Sequence, residues 1–260
     1  MKYGAQMYTL RDHCETVSDI ADTCAKVKAM GYDGIQASAA GFGTISSGDL
    51  KKVLDDTGLE CAASHMPLDR LENVSEVCDW HAEVGCKLTA LGGFGFGGAS
   101  RAEWEDFAAK FSKIAAECGA KGLRVGYHNH SHEWSPFGLA EAPESISPRQ
   151  TPMEVMVDRL DAPGWFEVDV YWVAHGGGDP AAWIERLAGR VPALHYKDLT
   201  VTADREHKMC EVGAGNLNWP RIHAAALAAG TEWALVERDQ GDLDPFVSLQ
   251  KSLDNIRSWG

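Results

Sequence analysis

No two cysteines of this chain form a CxxC pair, although seven are present, at positions 14, 24, 61, 78, 86, 118 and 210. An odd set without paired spacing argues against a disulfide framework. It reads as reduced thiols, so a cytoplasmic protein is expected. Basic residues are scarce: 24 Lys and Arg stand against 38 Asp and Glu, for a formal charge of −14. A nucleic-acid backbone requires a basic face, so no such partner is expected. There is no run of about 18 apolar residues, and none is expected to span a membrane. The opening MKYGAQMYTLRD has no apolar h-region, so no secretory signal is expected. No GxGxxG follows the first strand-like run, which counts against an open dinucleotide-binding sheet. Gly92-Gly93-Phe94-Gly95 lacks the helix start that motif needs, and Gly213-Ala214-Gly215 reads as a loop former rather than a phosphate cradle.

What is present is a strand–helix–strand unit over Phe166 to Asp198. FEVDVYWV and VPALHYKD are short apolar runs of buried-strand type, and Asp179-Pro180 opens the helix between them. Strand-like runs recur at 3–9, 32–38, 59–65, 86–93, 123–130, 165–172, 191–198 and 232–239. Segments with helical periodicity alternate with them, at 17–30, 49–57, 74–84, 103–118, 219–229 and 245–256. Gly31, Gly58, Gly85, Gly119, Gly189 and Gly230 are placed to close helices. Eight alternating units predict an α/β fold, a (β/α)8 TIM barrel in one domain over residues 1–260. The Pro-, Ser- and Glu-rich piece Ser135–Pro152 follows the fifth strand. It is read either as a lid over the barrel mouth or as an exposed insertion.

Parallel barrels place their chemistry at the carboxyl ends of the strands. Here those ends offer Gln6 and Tyr8, then Gln36, His65, and His128-Asn129-His130 with Glu133 just beyond. Asp169, His195 with Lys197, and Glu237 with Asp239 complete the ring. Asp169 lies inside an apolar strand, where an unpaired carboxylate is costly, so a functional role is expected. Oxygen ligands with a single imidazole suit Mn²⁺, Mg²⁺ or Co²⁺ better than a thiolate-rich structural zinc does. Tyr8, Trp134 and Trp172 are candidate platforms for a sugar ring. His13, His81, His132, His175, His207 and His223 read as surface or helix residues.

The motifs YHNHSHEW (127–134), EVDVYWV (167–173), ALHYKD (193–198) and LVERD (235–239), with GAQMYTLR at the start, resemble the xylose-isomerase-like sugar phosphate isomerase/epimerase superfamily. The resemblance implies one divalent ion, Mn²⁺ first, with Mg²⁺, Co²⁺ or Zn²⁺ as alternatives. Carried over by motif, its ligands are Glu133, Asp169, His195 and Glu237. Because Glu133 lies beyond the HNH triplet, His128, Asn129 and His130 stand as alternatives for strand five. The implied reaction is isomerisation or epimerisation of a sugar or polyol ketone. Glu133 or Glu237 takes the proton next to the carbonyl, and the metal, Lys197 and His65 stabilise the enediolate. Gln6, Tyr8, His65, His128, His130 and Trp172 are expected to bind the substrate. Two departures from the ketose 3-epimerase pattern, Trp172 and Val201, keep a lyase of the same fold as the alternative, of the inosose dehydratase or 3-keto-glycoside-cleaving type. Gln36 stands where many relatives carry Glu. A non-catalytic sugar-binding barrel is a third reading, and homo-oligomers are common in such families.

Overall fold

A computed structural model describes residues 1–38, 40–138 and 150–259. Its strands, in chain order, are β1 (Lys2–Gln6), β2 (Gly34–Ala37), β3 (Glu60–His65), β4 (Leu88–Leu91), β5 (Arg124–His128), β6 (Trp165–Asp169), β7 (Ala193–Tyr196), β8 (Asp198–Val201), β9 (His207–Cys210) and β10 (Trp233–Val236). Eight of them close into a parallel barrel in the order β1-β10-β7-β6-β5-β4-β3-β2. β8 and β9 form a separate antiparallel hairpin. The (β/α)8 expectation holds, and the hairpin is an addition to it. No helix among the described residues is long and apolar enough to cross a membrane.

The helices are α1 (Val17–Met30), α2 (Ser47–Thr57), α3 (Leu68–Glu72), α4 (Val74–Val84), α5 (Arg101–Ala120), α6 (Pro152–Arg159), α7 (Val170–His175), α8 (Pro180–Arg186), α9 (Trp219–Ala228) and α10 (Pro245–Arg257). Local chemistry sets their ends. Thr16 and Asp19 form a capping box on α1, and left-handed Gly31 ends it. Asp179 caps α8 through the amides of Ala181 and Ala182, with Pro180 in the first turn. Gly119 departs from expectation: it lies inside α5 rather than closing it. A Cβ there would come within 2.6 Å of the Pro163 ring, so the helix needs glycine to pass that close. Most of Ser135–Pro152 lies outside the described residues, so its reading as a lid has no structural counterpart here.

Bulk and absence of bulk alternate in the lower barrel. Trp165 pairs in register with Gly126, and a Cβ on Gly126 would lie 2.4 Å from the indole. Trp233 reaches over Gly34 in the same way, at 3.0 Å. Trp165 and Trp233 fill the floor with Ala63, Leu88, Ala90, Ala193 and Leu235. Above this apolar plug lie Gln36, His65, His128, Glu167, Asp169, His195 and Glu237, and that polar layer forms the site.

Candidate functional site

Strand alternation builds the polar layer. β6 turns Glu167 and Asp169 to the same face, because residues two apart share one. Both carboxylates are fully buried. Asp169 Oδ1 accepts from the Trp172 amide at 3.0 Å, so this side chain ends the strand and caps α7. The expected strand over 165–172 is therefore shorter by three residues. Asn129 Oδ1 accepts from the Asp169 backbone N–H at 3.1 Å and fixes the strand end from the side.

Hydrogen bonds around Glu167 fix the polarity of the layer. Its burial opposes ionisation, but the imidazoles of His195 and His65 outweigh that and hold the carboxyl well below the usual range. As a carboxylate it only accepts. Gln36 donates Nε2–H to Glu167 Oε1 at 2.7 Å, so its Oε1 accepts from His195 Nε2 at 2.7 Å. His195 Nδ1 then faces His128 Nε2 at 3.1 Å, Glu237 Oε2 at 2.9 Å and Asp169 Oδ2 at 3.6 Å. Burial works against a charged His195, yet Glu167 and Glu237 raise its basicity well above normal. Asp169 Oδ2 and His128 Nδ1 have no hydrogen-bond partner among the described residues. An orphaned buried carboxylate oxygen beside inward-facing nitrogen and oxygen lone pairs fits a cation better than it fits empty space. His128, Asp169, His195 and Glu237 each offer one ligand atom, all within 4.8 Å of one another, a set able to hold one metal ion.

Lys197 borders that set. Its Nζ lies 2.7 Å from Asp239, 3.1 Å from Glu237 Oε2 and 3.5 Å from Asp169 Oδ2. Burial disfavours its charge, but the carboxylates of Glu237, Asp169 and Asp239 reverse the sign and keep it protonated. The Trp172 ring lies over Nζ at 5.0 Å. A cavity of about 340 Å³ opens above, lined by Tyr8, His65, Phe96, His128, His130, Lys197, Glu237 and Asp239 among others.

Glu133 is not brought to this cluster. The chain turns after His130 through a short 3-10 segment, His132–Trp134, which folds Glu133 back under the loop. There it accepts from the Tyr127 hydroxyl at 2.7 Å and the His130 amide at 2.9 Å. The strand-five group facing Asp169 and His195 is His128. Gln6 is also displaced from its expected place: it is wholly buried and caps the Tyr8 amide below the cavity. Trp172 does not line the cavity, but packs beside His130 with ring centroids 5.4 Å apart. Trp134 packs on Trp183 instead of the mouth. His81, expected at the surface or on a helix, is on α4 but buried. Asp198 is the hub of the hairpin loop: its carboxylate accepts from Gly213 N, Gly215 N and the Trp219 indole. Sequence reasoning passed over Glu167, and strand alternation from Asp169 was the signal that marks it.

Residues 24–259 match the family described as xylose isomerase-like TIM barrel. A sugar phosphate isomerase/epimerase from Parabacteroides distasonis superposes with a TM-score of 0.78 at 25% identity, over 99% of this chain and 94% of that one. A D-allulose 3-epimerase from Methylomonas sp., solved in complex with D-allulose, has a TM-score of 0.74 at 15% identity, covering 99% and 96%. A probable 3-DHS dehydratase from Bacillus anthracis has a TM-score of 0.71 at 14% identity, covering 99% of each chain. The last two likenesses speak to fold alone. No curated protein matches the chain by sequence. The closed barrel, the polar ring at its carboxyl end and a match over nearly the whole length agree: this chain belongs to the xylose isomerase-like TIM barrel family.

Proposed function

We propose that the chain is a metal-dependent isomerase or epimerase of a small sugar or polyol ketone, acting by proton transfer next to a carbonyl. The observation that carries the reading is the orphaned Asp169 Oδ2 grouped with His128, His195 and Glu237, of which His128 and Glu237 line the cavity. Those four residues would hold one divalent ion, Mn²⁺ being the first choice for mixed carboxylate and imidazole donors. Bound there, the ion would supply Lewis acidity toward vicinal oxygens of a ketone.

The chain's own residues do the rest. Of the two carboxylates expected to move the proton, Glu237 lines the cavity and Glu133 does not, so Glu237 is assigned as base. Lys197 is held charged beside it and lines the cavity, where it would stabilise the oxyanion of an enediolate. Tyr8 and Phe96, both exposed at the mouth, offer flat apolar faces to a sugar ring.

The test is solvent exchange. The protein is incubated with Mn²⁺ in D₂O with ketoses, inososes and 3-keto-glycosides, and each is read by mass spectrometry. Deuterium gained by one class and lost on adding EDTA is the expected result. Exchange that survives EDTA would overturn the metal-dependent scheme. Loss of water or of an aglycone, rather than exchange alone, would identify the lyase alternative.

A further inference from the structure

We infer that His65 is a further catalytic residue and that Glu167 is the residue that positions it. His65 ends β3 and lines the cavity, with its side chain 18% exposed. Its Nε2 lies 2.5 Å from Glu167 Oε2. Glu167 is wholly buried, and Gln36 occupies its other oxygen. Ionised beside two imidazoles, Glu167 only accepts, so the hydrogen in the His65–Glu167 contact belongs to Nε2. In the neutral ring the lone pair is then on Nδ1. That atom turns to the opening beside Gly92, where even an added Cβ would stay 3.5 Å away. Gly92 lines the same cavity. The carboxylate thus fixes one tautomer and one ring orientation, and presents a hydrogen-bond acceptor to whatever fills the cavity.

The inference rests on the sugar or polyol reading for its substrate. There, a substrate hydroxyl donates its proton to His65 Nδ1, and Glu167 balances the resulting imidazolium. The proton returns to the same oxygen or to its neighbour when the product forms. This wall of the cavity is served by β3 and β6, apart from the Lys197 and Asp239 pair supplied from beyond the ends of β7 and β10. His65, Glu167 and His195 also lie close enough together to hold an ion. Their hydrogen bonds argue against that use: both Glu167 oxygens are already taken by N–H donors.

Two measurements test the dyad. The first needs neither substrate nor turnover: ¹⁵N-histidine NMR of the whole chain, with His65 assigned by a His65→Gln variant. The expected signature is the Nε2–H tautomer in the parent and its loss in Glu167→Gln. An Nδ1–H tautomer in the parent would overturn the proposal, and so would two Mn²⁺ ions per chain, because an ion at Glu167 would take Nε2 as a ligand. The second uses the substrate class found by deuterium exchange. Both His65→Gln and Glu167→Gln are expected to lower kcat by 10²-fold or more with KM changed by less than about threefold, a size usual for a lost acid–base group. A kcat within twofold of the parent for His65→Gln would also overturn it. If no substrate exchanges, the proposed function fails while the NMR result still decides the tautomer.

Discussion

At the scale of single residues, charge balance separates the carboxylates that face a cation from those that only hold the fold. Asp169 has an orphaned oxygen, whereas Glu133 has donors on both of its oxygens. Asp169→Asn is therefore expected to abolish Mn²⁺ binding by isothermal titration. Glu133→Gln should leave Mn²⁺ affinity within about threefold while destabilising the loop by about 1–3 kcal/mol, the scale of a buried hydrogen bond to a charged group. Equal loss of binding in the two variants would restore Glu133 as a ligand. Gln36 contacts no ligand oxygen of the set, yet it orients His195. Partners of this kind usually change metal affinity by about 10–100-fold, so Gln36→Leu should weaken Mn²⁺ binding by that order and leave the stoichiometry at one. Unchanged affinity would show that the tautomer of His195 is set elsewhere.

Elements show how a barrel stores buried polarity outside the site. His81 on α4 donates Nδ1–H to Val77 O at 2.6 Å and accepts from Ser64 Oγ of β3 at 2.7 Å. Burial lowers its basicity from 6.5 to about 4. The folded chain thus prefers neutral His81, and the unfolded chain protonates first as pH falls. Stability from this residue is whole above pH 6.5 and is lost as pH drops toward 4, by about 1.4 kcal/mol per unit. Urea unfolding at pH 7, 6 and 5 should show a shallower pH dependence for His81→Gln than for the parent; parallel lines would refute it. The elements also explain what could be read in advance. α1 and α4 run over the residues the periodicity gives, 17–30 and 74–84, because Thr16, Gly31 and Gly85 mark their ends. Strand ends were less legible. Gln6 and Asp169 cap the next turn with their own side chains and cut β1 and β6 short, a contact that no hydrophobic pattern encodes. The hairpin was hidden for a similar reason: Asp198 closes the strand-like run 191–198, yet its carboxylate accepts from loop amides.

For the whole molecule, the question is what the polar layer does to a barrel whose lower half is apolar. Four carboxylates, Glu167, Asp169, Glu237 and Asp239, meet one ammonium and a few imidazoles within the closed sheet. The surface adds no relief, since the chain carries −14 overall. Such a layer costs folding free energy unless cations or protons offset it. A divalent ion that binds only the folded barrel stabilises it by RT ln(1 + [L]/Kd), about 2.7 kcal/mol at a hundredfold excess over Kd. In a chain of this size each kcal/mol moves Tm by roughly 2–4 °C, so Mn²⁺ should raise the melting temperature by about 5 °C or more. EDTA should reverse the rise, and Asp169→Asn should lack it. Asp169→Asn alone leaves the Lys197 ammonium and two imidazoles facing a neutral amide, so its metal-free Tm is expected to lie below that of the metal-free parent. A variant that still gains the same increment from Mn²⁺ as the parent would place the cation somewhere other than the barrel mouth.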